Sequence, residues 1–93
     1  MEARHLLDFL EREPDGYQQL LERNGYDLAR TAYVLATARV SVYRGYIRPV
    51  PTPTELHVAA REICDRSQYL GHVPTRKALA ALCVAEGLQV LPG

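Results

Sequence analysis

The chain has 93 residues, fewer than the roughly 150 of a typical domain, so its length predicts one compact domain and excludes two large ones. Hydrophobic residues make up 47% of the sequence and charged residues 24%, a balance typical of folded proteins. The longest apolar run, Ala78 to Ala85, is too short to span a membrane, and the charged start argues against a signal peptide. Cys64 and Cys83 are too few for a disulfide-stapled scaffold, so we expect a cytoplasmic protein with two buried thiols.

The formal net charge of zero hides three segments with different charges. Residues 1–27 carry three arginines and seven carboxylates, whereas residues 28–54 carry four arginines and no acidic residue. Residues 55–93 are balanced. The basic middle segment suits a polyanion such as DNA, and the acidic opening segment suits either a protein partner or simple solvation.

The first half of the chain is predicted to be a series of short helices. Leucines at helical spacing predict the first helix over residues 2–13, and Pro14-Asp15-Gly16 ends it. A second short helix follows around residues 17–21, and Asn24-Gly25 closes it because glycine readily adopts the positive φ of a helix C-cap.

A third helix is predicted to begin at Asp27, whose side chain can cap the amides of the first turn. Leu28, Ala32 and Leu35 form its inward face. The apolar pattern falters at residues 36–38, so we expect a short break there and a separate helix from Arg39 to about Tyr46.

A proline-rich connector, residues 49–53, separates this half from residues 54–93. Thr52 or Thr54 is expected to cap the next helix, which shows the clearest apolar stripe in the chain. Its members are Leu56, Ala59, Ala60, Ile63, Ser67 and Leu70. A last helix is predicted between Thr75 and Gly87, with an extended tail after it.

The stretch NGYDLARTAYVLATARVSVYR, residues 24–44, resembles the helix-turn-helix of the factor for inversion stimulation (Fis) and of the C-terminal domains of NtrC-type activators. Asp27, Thr31-Ala32 and Leu35-Ala36 take the places of that family's cap, small pair, leucine and turn residue, and residues 38–44 follow in register. Ala36 departs from the family's turn glycine. The resemblance implies that residues 39–46 form a recognition helix for the DNA major groove.

Six residues are the candidate DNA contacts: Arg30, Arg39, Ser41, Tyr43, Arg44 and Arg48. Arg39, Ser41 and Arg44 face outward, where arginine can pair with guanine and serine with a base edge or a phosphate. The docking geometry of the family puts Arg30 and Arg48, the first and last of this set, beside the phosphate backbone. The tyrosine either bonds a phosphate or packs beneath the helix.

Residues 71–80 show a second likeness. The sequence GHVPTRKALA resembles the junction between the first helices of LexA-repressor-type winged helices. No convincing recognition helix follows it before Gly93. The second half is therefore expected to serve packing or dimerisation and not a second DNA-reading surface.

These patterns favour an all-α domain of about five helices, with a central helix-turn-helix in residues 1–48 and a packing or dimerisation half in residues 54–93. The expected function is sequence-specific or nucleoid-type binding of double-stranded DNA, by a homodimeric transcriptional regulator of bacterial or phage kind. The alternative is a protein-interaction module, such as a phage-encoded antagonist of a host protein. RNA polymerase or another protein is a further expected partner.

No enzymatic activity, cofactor or metal is expected. His5 and Asp8 lie one helical turn apart, but no nucleophile is spaced to join them. Four residues could in principle ligate zinc, yet they lack the short paired spacing of structural sites. They are His57, Cys64, His72 and Cys83.

Overall fold

The computed structural model describes residues 3–44 and 50–67. They form four α-helices: α1 (Ala3–Arg12), α2 (Gly16–Arg23), α3 (Leu28–Arg44) and α4 (Pro53–Arg66). Within these ranges no strand occurs, so the expected all-α class is confirmed for the described part of the chain. The last predicted helix, the LexA-like junction and Arg48 lie outside the described residues.

The turn between α2 and α3 is built as the sequence predicts. Gly25 has a φ of 67° and donates its N–H to the carbonyl oxygen of Glu22, 3.0 Å away. The N–H of Tyr26 reaches back to the carbonyl oxygen of Leu21 at 2.9 Å. These two bonds are the pair that ends a helix in a Schellman motif, which confirms Gly25 as the residue that closes α2.

Asp27 caps α3, as predicted. Its Oδ1 accepts the backbone N–H of Arg30 at 3.1 Å, and its carbonyl oxygen accepts the N–H of Thr31 at 2.9 Å. The cap and the Schellman turn together fix the direction in which α3 leaves α2.

The predicted break at residues 36–38 is wrong. α3 continues without interruption from Leu28 to Arg44. The two helices expected over residues 27–46 are therefore one helix as far as Arg44, and the turn of the expected helix-turn-helix is absent from its predicted place. The described residues therefore form four helices, one fewer than the five that the sequence predicts for them.

The error has a packing explanation. α3 contacts α1, α2 and α4, so it buries several sides of its surface and not a single stripe. Ala36 and Ala38 are only 2% and 6% exposed, although they lie far apart around the helix. Alanine is also the strongest helix former. These small residues allow neighbouring helices to approach from different directions, and they interrupt the amphipathic pattern. The sequence therefore predicts a break where the helix continues.

The start of α4 resolves the choice between two threonines. Thr52 is the cap: its Oγ1 accepts the N–H of Glu55 at 3.2 Å, and the Glu55 carboxylate accepts the N–H of Thr52 at 2.9 Å. Pro53 occupies the first helical position, where its missing N–H costs nothing. Thr54 is exposed.

The predicted apolar face of α4 completes one core with the first three helices. Leu56, Ala59, Ala60 and Ile63 belong to the same buried cluster as the leucines of α1, α2 and α3. Ser67 is also buried, and Leu70 lies outside the described residues. Residues 53–66 therefore share their core with the segment that precedes the proline-rich connector.

Candidate functional site

The predicted DNA-contacting residues of α3 do not share one free surface. Arg39 lies between α3 and α4, with its side chain 29% exposed and its guanidinium in an ion pair with Glu62. Ser41 is half-buried, and Tyr43 is 80% exposed. Arg30 is exposed near the opposite end of the helix. Arg39 and Tyr43 therefore lie away from the side of α3 that carries Arg30, Ser41 and Arg44.

Arg39 is part of a network that ties three helices together. Glu62 on α4 accepts a hydrogen bond of 2.9 Å from the Tyr17 hydroxyl on α2 while its other oxygen holds Arg39. The guanidinium of Arg66 lies over the Tyr17 ring, 5.4 Å from its centre. Burial and the hydrogen bond to Glu62 raise the pKa of Tyr17 above its usual 10.0. Arg39, expected to contact bases, thus joins α3 to α4 through Glu62.

Arg44 is also paired, although it is more exposed. Its Nη2 lies 3.1 Å from the Oε2 of Glu55, the residue that closes the capping box of α4. The backbone N–H of Thr52, the Thr52 hydroxyl and the charge of Arg44 together hold the pKa of Glu55 below its usual 4.5. A carboxylate of α4 therefore accompanies each of the two arginines of the predicted recognition helix.

One side of α3, called the outer face below, carries side chains that range from half-buried to exposed. It consists of five residues spaced three or four apart: Arg30, Tyr33, Thr37, Ser41 and Arg44. At about 3.6 residues per turn this spacing follows one side of a helix. Tyr33 is 47% exposed, and it is the largest side chain of this face.

Two threonines of α3 differ in how their hydroxyls are satisfied. The hydroxyl of Thr31 donates to the carbonyl oxygen of Asp27 at 2.6 Å, the usual bond of a threonine inside a helix. Thr37 Oγ1 is buried and makes no hydrogen bond to the described part of the chain. Buried polar atoms are nearly always paired in folded proteins, so Thr37 marks a place where a bond is missing.

A shallow groove runs beside this hydroxyl, between α1 and α3. Its volume is about 360 Å³. The lining is mainly apolar and includes Leu6 of α1 and Val34 and Ala38 of α3, with Tyr33, Thr37 and Ser41 along the side of the outer face. A large, half-exposed tyrosine and an apolar floor are thus adjacent on one surface.

Cys64 is half-buried against the core, close to the expectation of a buried thiol. Burial and the neighbouring charge of Asp65 raise the pKa of its thiol to about 11, so the thiol is protonated at neutral pH. In residues 3–44 and 50–67 there is no group of three or more His, Cys, Asp or Glu side chains that could hold a metal ion. Nor does any helix in these ranges have the length and apolar character needed to cross a bilayer.

The chain matches no family model, and neither the curated proteins nor the solved structures yield a significant relative. The likeness to the Fis and NtrC-type motif therefore rests on the residues of this chain alone.

Sequence reasoning missed Glu62, Tyr33 and Thr37. Glu62 is 23 residues away from Arg39, so no local pattern links the two. Tyr33 and Thr37 could have been found, because the row from Arg30 to Arg44 is visible once residues 28–44 are treated as one helix. The expected break at residues 36–38 concealed that row.

Proposed function

We propose that this chain acts by binding another protein through the outer face of α3. The observation that carries the proposal is Tyr33, a large side chain that is 47% exposed beside a mainly apolar groove. Tyrosine and arginine are enriched in protein interfaces and dominate their binding energy. Arg30 and Arg44 stand at the two ends of the same face.

The charges give DNA binding no general support. The eleven basic and eleven acidic residues of the chain sum to a net charge of zero. DNA-binding surfaces gain most of their affinity from cations that neutralise phosphates. Glu62 and Glu55 already neutralise Arg39 and Arg44, which were the main expected base contacts.

A photo-crosslinking amino acid placed at position 33 tests the proposal in the native cells. Tyr43 supplies a matched control, because it is an exposed tyrosine of the same helix that lies off the outer face. We expect a covalent adduct of discrete mass from position 33 and none from position 43. Equal labelling from both positions, or none from position 33, would contradict a binding role for the outer face.

DNA binding is the second candidate, and one observation favours it. α3 carries three arginines and no acidic residue, and Arg30 is exposed with no ion pair in the described part of the chain. With Arg30 and Arg44 as the two phosphate contacts, affinity for duplex DNA should fall about 12-fold between 50 and 200 mM salt. Fluorescence anisotropy with a random duplex measures this change. A salt-independent signal, or no binding at 50 mM salt, would reject this candidate.

A further inference from the structure

We propose that the partner of the outer face of α3 is an acidic amphipathic helix of another protein. This helix buries its apolar side chains in the groove between α1 and α3 and pairs its carboxylates with Arg30 and Arg44. The inference rests on the proposed function and names the chemistry of the partner. Three properties of the surface carry it: the apolar floor of the groove, the positive charge at both ends of the outer face, and the helical shape of its walls.

The floor of the groove is apolar and comes from two helices. Leu6 of α1 lines it together with Val34 and Ala38 of α3, and Tyr33, which is 47% exposed, lines the same groove. The volume of about 360 Å³ lies at the lower end of the range for binding pockets, so the groove accommodates a few side chains and not a large cofactor. Apolar side chains of a partner gain free energy when they leave water for this floor.

The two ends of the outer face are positive, and no carboxylate is among the described residues that line the groove between them. Arg30 is exposed and has no ion pair in the described part of the chain. The side chain of Asp27 accepts the backbone N–H of Arg30 as the cap of α3. Arg44 is 48% exposed, and Glu55 engages only its Nη2, whereas a guanidinium has five N–H donors. Both arginines can therefore bind carboxylates of a partner, and this complementarity selects an acidic one.

The shape of the surface favours a helix over an extended peptide. Arg30 and Arg44 are separated by about 21 Å along α3, and a second helix of about 14 residues spans the same length. A helix satisfies its own backbone hydrogen bonds, whereas an extended peptide needs the edge of a sheet, and the described residues form no strand. Recognition of a helix in a groove uses apolar residues three or four apart, which leaves the polar flanks of the helix to meet the two arginines.

The apolar floor also separates this partner from a nucleic acid. Phosphates would engage Arg30 and Arg44, but they gain nothing from covering Leu6, Val34 and Ala38. An acidic amphipathic helix uses the arginines and the floor at the same time.

A pair of designed peptides tests the charge of the partner. Both are helices of about 18 residues with leucines at every third or fourth position, and their flanks carry glutamate in one peptide and lysine in the other. The net charge of the chain is zero, so its overall charge favours neither peptide. Fluorescence anisotropy with the full chain should give an affinity for the glutamate peptide that is at least about 10-fold higher than for the lysine peptide. Equal affinities, or no binding of the glutamate peptide at about 1 mM chain, would overturn the inference.

A charge reversal locates the contact. Arg30→Glu should weaken binding of the glutamate peptide about 3- to 10-fold and strengthen binding of the lysine peptide. Arg12→Glu is the matched control and should change neither affinity, because Arg12 is exposed at the end of α1 opposite to Ala3, which lines the groove. Equal effects of the two substitutions would overturn the inference, since they would report only the net charge of the chain.

A second pair of variants tests the groove itself. Tyr33→Ala should weaken the glutamate peptide at least about 5-fold, since a buried tyrosine is a frequent centre of binding energy. Tyr43→Ala removes the other exposed tyrosine of α3 and should leave the affinity unchanged. Helical circular dichroism confirms that each variant folds. Binding that survives Tyr33→Ala unaltered would place the peptide elsewhere and overturn the inference.

The crosslink from position 33 separates this inference from the proposed function. If position 33 crosslinks to a protein in cells while Arg30→Glu leaves the adduct yield unchanged and the two peptides bind alike, the acidic helix is overturned and the proposed function stands. If position 33 gives no adduct, the proposed function itself fails. An adduct that nuclease digestion removes would overturn the acidic helix in favour of a nucleic acid.

Discussion

The polar side chains on the inner and outer sides of α3 differ in whether they have a partner within the chain. On the inner side, Arg39 is neutralised by Glu62, and Glu62 also holds the hydroxyl of Tyr17. On the outer side, Tyr33 is half exposed, and Thr37 has no hydrogen-bond partner in the described part of the chain. The comparison teaches that an arginine in a DNA-binding pattern can be held by a carboxylate of another helix, while a large tyrosine of the same helix stays half exposed.

The largest expected effect separates two residues of α3 that are only two positions apart. Leu35→Ala removes a side chain that is 0% exposed and should lower the free energy of unfolding by about 2–5 kcal/mol through the cavity it leaves. Tyr33→Ala should change it by less than about 1 kcal/mol in the monomer. Chemical denaturation followed by circular dichroism measures both at low protein concentration. Equal losses would mean that Tyr33 is a core residue.

The next effect concerns the ion pair on the inner side. Glu62→Gln leaves Arg39 without its carboxylate and weakens the bond to Tyr17, and should cost about 1–2 kcal/mol of unfolding free energy. Glu22→Gln is the control, since Glu22 is exposed and makes only a 3.4 Å contact with Gln18. If both variants were equally stable, Arg39 would be available for a ligand, and the DNA-binding function would regain support.

A smaller effect concerns the cap at the start of α4. Thr52→Ala removes the helix cap and should cost about 1 kcal/mol, whereas Thr54→Ala should have little effect because Thr54 makes no capping bond. The same denaturation experiment measures both. A larger loss from Thr54→Ala would place the cap two residues later than the structure does.

Glu55 also predicts a pH dependence. Its pKa is lowered in the folded chain, so its ionised form stabilises the fold above its usual 4.5, and this stabilisation is lost as the pH falls through the folded value. The difference in unfolding free energy between the native chain and Glu55→Gln should therefore be full near pH 7 and shrink below about pH 4.5. A difference that grows on acidification would contradict the capping box.

The smallest effect is kinetic and leaves the fold unchanged. With Cys83→Ser, Cys64 is the single thiol, and its raised pKa of about 11 predicts alkylation at pH 8 about 100-fold slower than for a thiol with a pKa of 9.0. Iodoacetamide labelling against pH measures this, and the reaction in denaturant serves as the control. If the labelling rate of the folded chain rose with a midpoint near pH 9, Cys64 would be accessible and not desolvated.

Local signals predicted a large part of the fold. Asp27, Gly25 and the capping threonine of α4 act within a few residues of the chain, so their side-chain chemistry alone indicates where helices begin and end. The apolar face of α4 was predictable for a related reason: α4 buries one continuous stripe, and a single stripe produces a clear period.

The centre of α3 and the pairing of its arginines were not predictable in the same way. Ala36 and Ala38 contact different neighbours, so burial from several directions removes the period on which the prediction depends. The partner of Arg39 lies on another helix and is set by how α3 and α4 pack. A short motif cannot contain that information, so the sequence alone does not predict that Glu62 pairs with Arg39.

The continuity of α3 is the claim on which both faces depend, and backbone NMR tests it most directly. The ¹³Cα secondary chemical shifts of the full chain should have the helical sign at every residue from Leu28 to Arg44, including Ala36, Thr37 and Ala38. Coil-like shifts at those three residues would contradict the account, because a turn there would rotate Arg39 away from Glu62 and divide the outer face in two.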